Sequence, residues 1–166
     1  MSDPLTVNND PADGTDLKFV PGGREPVYLE DFLVECWRFH SVGRDDDARA
    51  LLCGVWSWAM DGGSDAADIR VALRMLDRLG LTTDDPGAWA ALPDQLTVYR
   101  AETGSRQDGF CWTLKRDVAN MHASRHGLAI TSGTVHKSHV LAYITLHGED
   151  EIVVRRGNVR AFAERR

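Results

Sequence analysis

The feature that most constrains the fold is a change in hydrophobic periodicity near the middle of the chain. Up to about residue 80, apolar residues recur every three to four positions, as on one face of an amphipathic helix. After the turn-forming segment 84–87, short runs rich in β-branched and aromatic residues follow one another, which is typical of strands. Helices followed by mostly antiparallel strands predict an α+β domain.

The chain has 166 residues, which corresponds to one ordinary domain. We expect residues 1–26, which are polar and contain several Asp, Asn, Pro and Gly residues, to form a mobile tail. Residues 27–166 then form a single domain, with a helical part at 27–92 and a strand-rich part at 93–160. The end of the chain, from Arg155, is basic, and we expect it to fray.

Local signals divide each part into elements. Three helices are predicted between residues 28 and 80, because Asp45–Asp47 favours a helix start and Gly80 favours a helix end. A further helix is predicted from about Thr113 to Gly127. Strands are predicted at 96–100, 110–113, 129–131, 134–136, 140–144 and 151–154.

Composition and charge exclude several classes of protein. No apolar run approaches the roughly 18 residues of a membrane helix, and the N-terminus lacks a basic segment followed by an apolar one. We therefore expect a cytoplasmic protein without a membrane partner. The net charge of −6 argues against broad nucleic-acid binding. The three cysteines show no CxxC spacing and are expected to be free buried thiols.

Residues from three segments of the strand-rich part are predicted to form one site. Arg100 ends one strand, and the segment Cys111–Thr113 ends the next strand and leads into a helix. Glu149 and Glu151 lie at the start of a later strand. Because strand side chains alternate between the two faces of a sheet, we expect these two carboxylates to point to the same face.

Four segments in this order carry a resemblance to a known family: VYR at 98–100, GFCWTLKRDVA at 109–119, VLAY at 140–143 and GEDEIVV at 148–154. Together they resemble small mono-ADP-ribosyltransferases of the arginine–serine–glutamate clade, which occur in bacteria and phages as toxins or host-modifying enzymes. The resemblance covers about Leu96 to Val159. It implies two packed, mostly antiparallel sheets with an N-terminal helical region, and a cleft between the sheets that holds NAD as substrate.

The resemblance also implies roles for individual residues. Glu151 would stabilise the oxocarbenium-like ribose that forms when the nicotinamide–ribose bond breaks. Glu149 would position the acceptor and assist the removal of its proton, and such a glutamate pair accompanies arginine acceptors in the family. Arg100 would hold the diphosphate through its fork of N–H donors.

The remaining residues implied at the NAD site surround the nicotinamide riboside. Thr113 and Cys111 would hold the strand and the glutamate in place, and the family usually has serine at the position of Cys111. Ala101 stands where the family often has a glycine that approaches the nicotinamide. The aromatic residue that covers the nicotinamide is left open among Trp112, Tyr143 and Phe110.

The predicted function is therefore an NAD-dependent mono-ADP-ribosyltransferase that acts on a protein acceptor, such as a host protein. Two alternatives stay open: an NAD glycohydrolase that uses the same residues, and a catalytically silent domain that binds NAD or a protein. No metal site is predicted. His122 and His126 have a spacing that can bind zinc, but the H-E-x-x-H pattern is missing.

Overall fold

The computed structural model describes residues 29–61, 66–102, 110–155 and 157–163, and the tail predicted at 1–26 lies outside them. In these ranges the chain has five α-helices and seven strands, so the predicted α+β class is confirmed. Among the described residues, no helix combines the length and the apolar character that crossing a membrane requires.

The three helices predicted before residue 80 are present, and so is the later one that ends at Gly127. A short additional helix was not predicted, because the segment 84–87 was interpreted only as a turn. The Asp85 side chain caps this helix by accepting a hydrogen bond from the Ala88 amide at 2.8 Å. The helices are α1 (Leu29–Ser41), α2 (Asp45–Asp61), α3 (Ala66–Leu79), α4 (Pro86–Ala91) and α5 (Arg116–His126).

All the predicted strands are present, but two of them form one continuous strand, β4. The basic C-terminal segment that was expected to fray contains strand β7, which pairs with β4. That expectation was wrong, because this segment hydrogen-bonds to the edge of the sheet. The strands are β1 (Thr82–Thr83), β2 (Gln95–Glu102), β3 (Cys111–Thr113), β4 (Ala129–His136), β5 (Val140–Ile144), β6 (Glu151–Val154) and β7 (Arg160–Ala163).

The described strands form one mixed sheet in the order β1-β5-β6-β3-β2-β4-β7, in which only β1 and β5 are parallel. The expectation of two separate sheets differs from this arrangement. The physical reason is β2, which pairs with β4 along eight residues and also with β3 at Tyr99, so that it joins the two halves. As a result β6, β3 and β2 are consecutive neighbours in the sheet.

Two hydrophobic clusters cover opposite faces of this sheet. Helices α1–α3 pack on one face, where Ala142, Ile144 and Val153 are buried in the cluster that we call the helix-side cluster. The neighbouring residues of the same strands, among them Ile152, belong to a second cluster with β2 and α4. The alternation of side chains thus gives β5 and β6 a core on both faces.

Gly133 of β4 pairs with Ala161 of β7, and a side chain added at Gly133 would press against this C-terminal segment. A Cβ at this position would lie 2.5 Å from Val159 Cγ1 and 3.1 Å from the carbonyl oxygen of Arg160. We expect Gly133→Ala to lower the free energy of unfolding by about 1–3 kcal/mol in chemical denaturation, because β7 has to shift. Gly54→Ala in α2 is the control.

A Cβ added at Gly54 meets no atom within 4 Å, so this substitution is expected to raise the helix's stability by up to about 1 kcal/mol. If Gly133→Ala leaves the unfolding free energy unchanged while Gly54→Ala raises it, the close packing of β7 against β4 is contradicted.

Candidate functional site

One row of paired residues crosses the centre of the sheet. Glu151, the first residue of β6, is the direct partner of Thr113, the last residue of β3. Thr113 is in turn the partner of Tyr99 on β2. Directly paired residues of antiparallel strands point to the same face, so this row brings together side chains that are far apart in the chain.

The carboxylate of Glu151 is held by a side chain from the helical layer. The indole Nε1 of Trp56, a fully buried residue of α2, donates to Glu151 Oε1 at 3.1 Å. Glu151 and Trp56 also lie close enough to the Cys111 thiol to act on its pKa, which the carboxylate raises and the indole lowers. Three chain segments therefore meet at one carboxylate on the face that α1–α3 cover.

The thiol of Cys111 stays protonated in this setting. Part of the residue reaches solvent, but burial of the thiol raises its pKa well above the usual value, and the charge of Glu151 acts in the same direction. The positive charge of Arg100 has a smaller, opposite effect. A neutral thiol is a weak hydrogen-bond donor and not a nucleophile, so Cys111 is suited to holding the carboxylate.

Thr113 fixes the turn that precedes β6. Its hydroxyl donates to the carbonyl oxygen of Glu149 and accepts from the Lys115 amide, the latter at 3.0 Å. The ammonium group of Lys115 donates to the Gly148 carbonyl at 2.7 Å and lies 3.2 Å from the Asp150 carboxylate. Thr113, at the end of β3, and Lys115, two residues later, therefore hold both the backbone and the charge of this turn.

Glu149 does not lie on β6, so the prediction that strand alternation places it on the same face as Glu151 was wrong. Its backbone is helical, at φ −88° and ψ −16°, and Asp150 takes a left-handed conformation at φ 47°. Glu149 Oε1 instead lies 3.5 Å from His122 Nε2 on α5. No group of three or more potential metal-ligating side chains exists in the described ranges, and His122 has this carboxylate as its partner.

Arg100 lies on the opposite face from the row of Glu151, because it follows Tyr99 in β2. Its Nε is 3.6 Å from Glu102 Oε2, and the Glu102 side chain is only 2% exposed. Within the described part of the chain, Arg100 Nη1 and both carboxylate oxygens of Glu102 are buried without a hydrogen-bond partner.

Two aromatic residues predicted at the NAD site belong to the core. Trp112 and Tyr143 are 2% and 3% exposed in the second cluster, on the face opposite Glu151. Tyr143 also contacts the ring of Trp89, with the ring centroids 5.7 Å apart. The suggestion that either covers a nicotinamide beside Glu151 therefore does not fit their positions, and Phe110 packs against the helix-side cluster.

The structure thus brings Cys111, Thr113 and Glu151 together, with half-buried Ala101 of β2 on the same face as Tyr99. Sequence reasoning missed the contribution of Trp56, which was interpreted as a packing residue, because no local pattern links it to a residue 95 positions later. It also missed Glu102. An acidic residue two positions after Arg100 in the same strand was the available signal, since such residues share a face.

A separate cavity of about 510 Å³ lies elsewhere, lined among others by Leu76, Trp89 and Lys137, and none of the predicted site residues lines it.

Comparison with known proteins adds no family to this description. No protein-family model matches the chain, and neither the curated proteins nor the solved structures contain a match.

The contribution of the Thr113 hydroxyl to stability can be tested by a substitution that keeps the shape of the side chain. We expect Thr113→Val to lower the free energy of unfolding by about 1–3 kcal/mol, because the Lys115 amide and the Glu149 carbonyl each lose a partner. Thr97→Val, at an exposed position of β2, should change it by less than about 0.5 kcal/mol. Equal effects of the two substitutions in urea denaturation would contradict the role of Thr113 in holding the turn.

Proposed function

We propose that this protein is an NAD-dependent mono-ADP-ribosyltransferase, which breaks the nicotinamide–ribose bond and transfers ADP-ribose to a protein acceptor. The main support is the adjacency of β6, β3 and β2, which brings the carboxylate of Glu151 beside Cys111 and Thr113. In the family that the sequence resembles, the corresponding three segments carry the reaction. We also propose that the sheet is a variant of that family's fold and that the protein acts in the cytoplasm.

Glu151 is the proposed catalytic residue. The bond that breaks leaves a sugar with oxocarbenium character, and a fixed negative charge beside the ribose lowers the free energy of that transition state. The carboxylate of Glu151 is held by the indole N–H of Trp56, so it has little need to reorganise when the positive charge develops. Glu151 is half-buried at the start of β6, so part of the residue remains accessible to solvent.

Arg100 is proposed to bind the diphosphate of NAD. Its buried Nη1 is a donor without an acceptor in the described residues, and an unsatisfied buried donor costs about 1–3 kcal/mol. A phosphate oxygen would satisfy this donor with a charge-assisted hydrogen bond. Arg100 lies two residues before the end of β2, so we propose that it approaches the ligand from that end of the strand.

Glu149 is proposed to act on the acceptor, for which paired glutamates favour arginine. It lies next to Glu151 in the chain but outside the strand, and its backbone is held by Thr113. Its carboxylate lies 3.5 Å from the imidazole of His122, which is proposed to assist Glu149 in removing the proton of the acceptor nitrogen. Under this proposal the natural acceptor is a protein of a host cell.

One observation favours a second candidate, a catalytically silent domain that binds NAD or a protein. Arg100 is paired with Glu102 and lies on the face opposite Glu151, so its guanidinium is partly neutralised. In that case the protein binds its ligand but does not break the glycosidic bond. Measuring nicotinamide release separates the two candidates.

The catalytic role of Glu151 is tested by incubating the purified protein with NAD and measuring free nicotinamide. We expect release by the wild type and a loss on the order of 100- to 1000-fold in Glu151→Gln, because the substitution removes the negative charge but keeps the shape. Glu35→Gln is the matched control, since Glu35 lies on α1 with Arg38 as its partner, and it should stay within about twofold of the wild type.

Circular dichroism confirms that each variant is folded. No release by the wild type would favour the silent domain, and equal release by wild type and Glu151→Gln would remove Glu151 from the chemistry.

Transfer and hydrolysis are separated by adding a small guanidine-containing acceptor to radiolabelled NAD. We expect Glu149→Ala to reduce labelling of the acceptor by at least about 100-fold, as for loss of a general base. Hydrolysis of NAD, measured as nicotinamide release without the acceptor, should change much less. Equal losses in both reactions would contradict the acceptor role. Hydrolysis without any transfer in the wild type would identify a glycohydrolase instead.

A further inference from the structure

Trp56 is placed by the helical layer with little freedom to move. It is fully buried in α2, and Leu52, Cys53 and Val55 of the same helix are buried in the same cluster. An indole N–H can only donate, and when buried it needs an acceptor. Its acceptor is the Glu151 carboxylate, 3.1 Å away on the sheet.

The choice of acceptor distinguishes this contact from ordinary packing. A hydrogen bond to an ionised group is roughly twice as strong as one between neutral groups, so the indole fixes the carboxylate more firmly than it would be fixed by a neutral partner. The Cys111 thiol, which lies beside the same carboxylate, belongs to a class of weaker donors.

We propose that Trp56 is a positioning residue for Glu151: helix α2 supplies the strong hydrogen-bond donor that orients the catalytic carboxylate. This inference rests on the proposed function, because it assigns a role in the same site. It gives the layer α1–α3 a part in catalysis besides its part in the core. Trp56 itself does not touch the substrate.

A residue that acts through Glu151 affects the transition state more than substrate binding. We expect Trp56→Phe, which keeps an aromatic ring but removes the N–H, to lower kcat for nicotinamide release on the order of tenfold to a hundredfold. The KM for NAD should stay within about twofold, because the contacts with the diphosphate are unchanged. Both constants are measured in steady-state assays of the 166-residue chain.

Trp37→Phe is the matched control. Trp37 packs against the same cluster from α1 and contacts Arg78 and His40, not the carboxylate. It should leave kcat within about twofold of the wild type. An equal fall in kcat in the two variants would show a general effect of loosening the layer and would overturn the proposal.

A second variant distinguishes positioning from filling of volume. Cys111→Ser places a stronger donor beside the same carboxylate, so the double variant Trp56→Phe/Cys111→Ser should recover part of the lost kcat. A structural defect at Trp56 would not be repaired from β3. If the double variant is no more active than Trp56→Phe alone, the proposal is overturned.

The hydrogen bond can also be observed directly, should Trp56→Phe fail to fold. In nitrogen-15 NMR spectra, Glu151→Gln should shift the indole signal of Trp56 and leave that of Trp37 in place. An unchanged Trp56 signal overturns the proposal. Nicotinamide release that is normal in Trp56→Phe overturns this inference alone, whereas no release by the wild type overturns the proposed function and this role with it.

Discussion

The placement of β3 between β6 and β2 is the constraint on which the site depends. This strand is only three residues long, and its side chains alternate between the candidate site on one face and the hydrophobic core on the other. Cys111 and Thr113 face the helical layer and Glu151, while Trp112 between them is buried in the second cluster. A register slip of one residue would put Trp112 beside the carboxylate and expose the core, so the packing of Trp112 secures the geometry of the site.

Helices and strands can be predicted from the sequence where the hydrophobic periodicity extends over many residues. The three long helices and the strands around the site could be predicted because each shows its own pattern and a turn signal. Helix α4 and strand β7 could not, because α4 has only six residues and depends on the Asp85 cap, and β7 depends on an edge of the sheet formed by β4. The short strand β7 carries no strong pattern of its own.

The same distinction applies to the site. Thr113 and Glu151 lie at strand ends with recognisable neighbours, so the sequence pointed to them, whereas the contact of Trp56 with Glu151 depends on how two layers pack. For Glu149 the sequence pattern was present but led to a wrong prediction. The E-x-E pattern indicated a strand, but the hydrogen bonds of Thr113 and Lys115 bend the backbone just before Glu151, and alternation begins only there.

Burial under the helical layer connects the chemistry of the site with the stability of the fold. Burial is the main cause that raises the pKa values of Cys36 and Cys53 to about 12, and it also raises that of Cys111. An environment that disfavours a thiolate is one of low effective dielectric, in which the bond from Trp56 to a carboxylate is stronger than in water. In the reaction that we propose, the same environment strengthens the field of Glu151 on the cationic sugar. The apolar packing of α1–α3 therefore sets both the position of this charge and the strength of its effect.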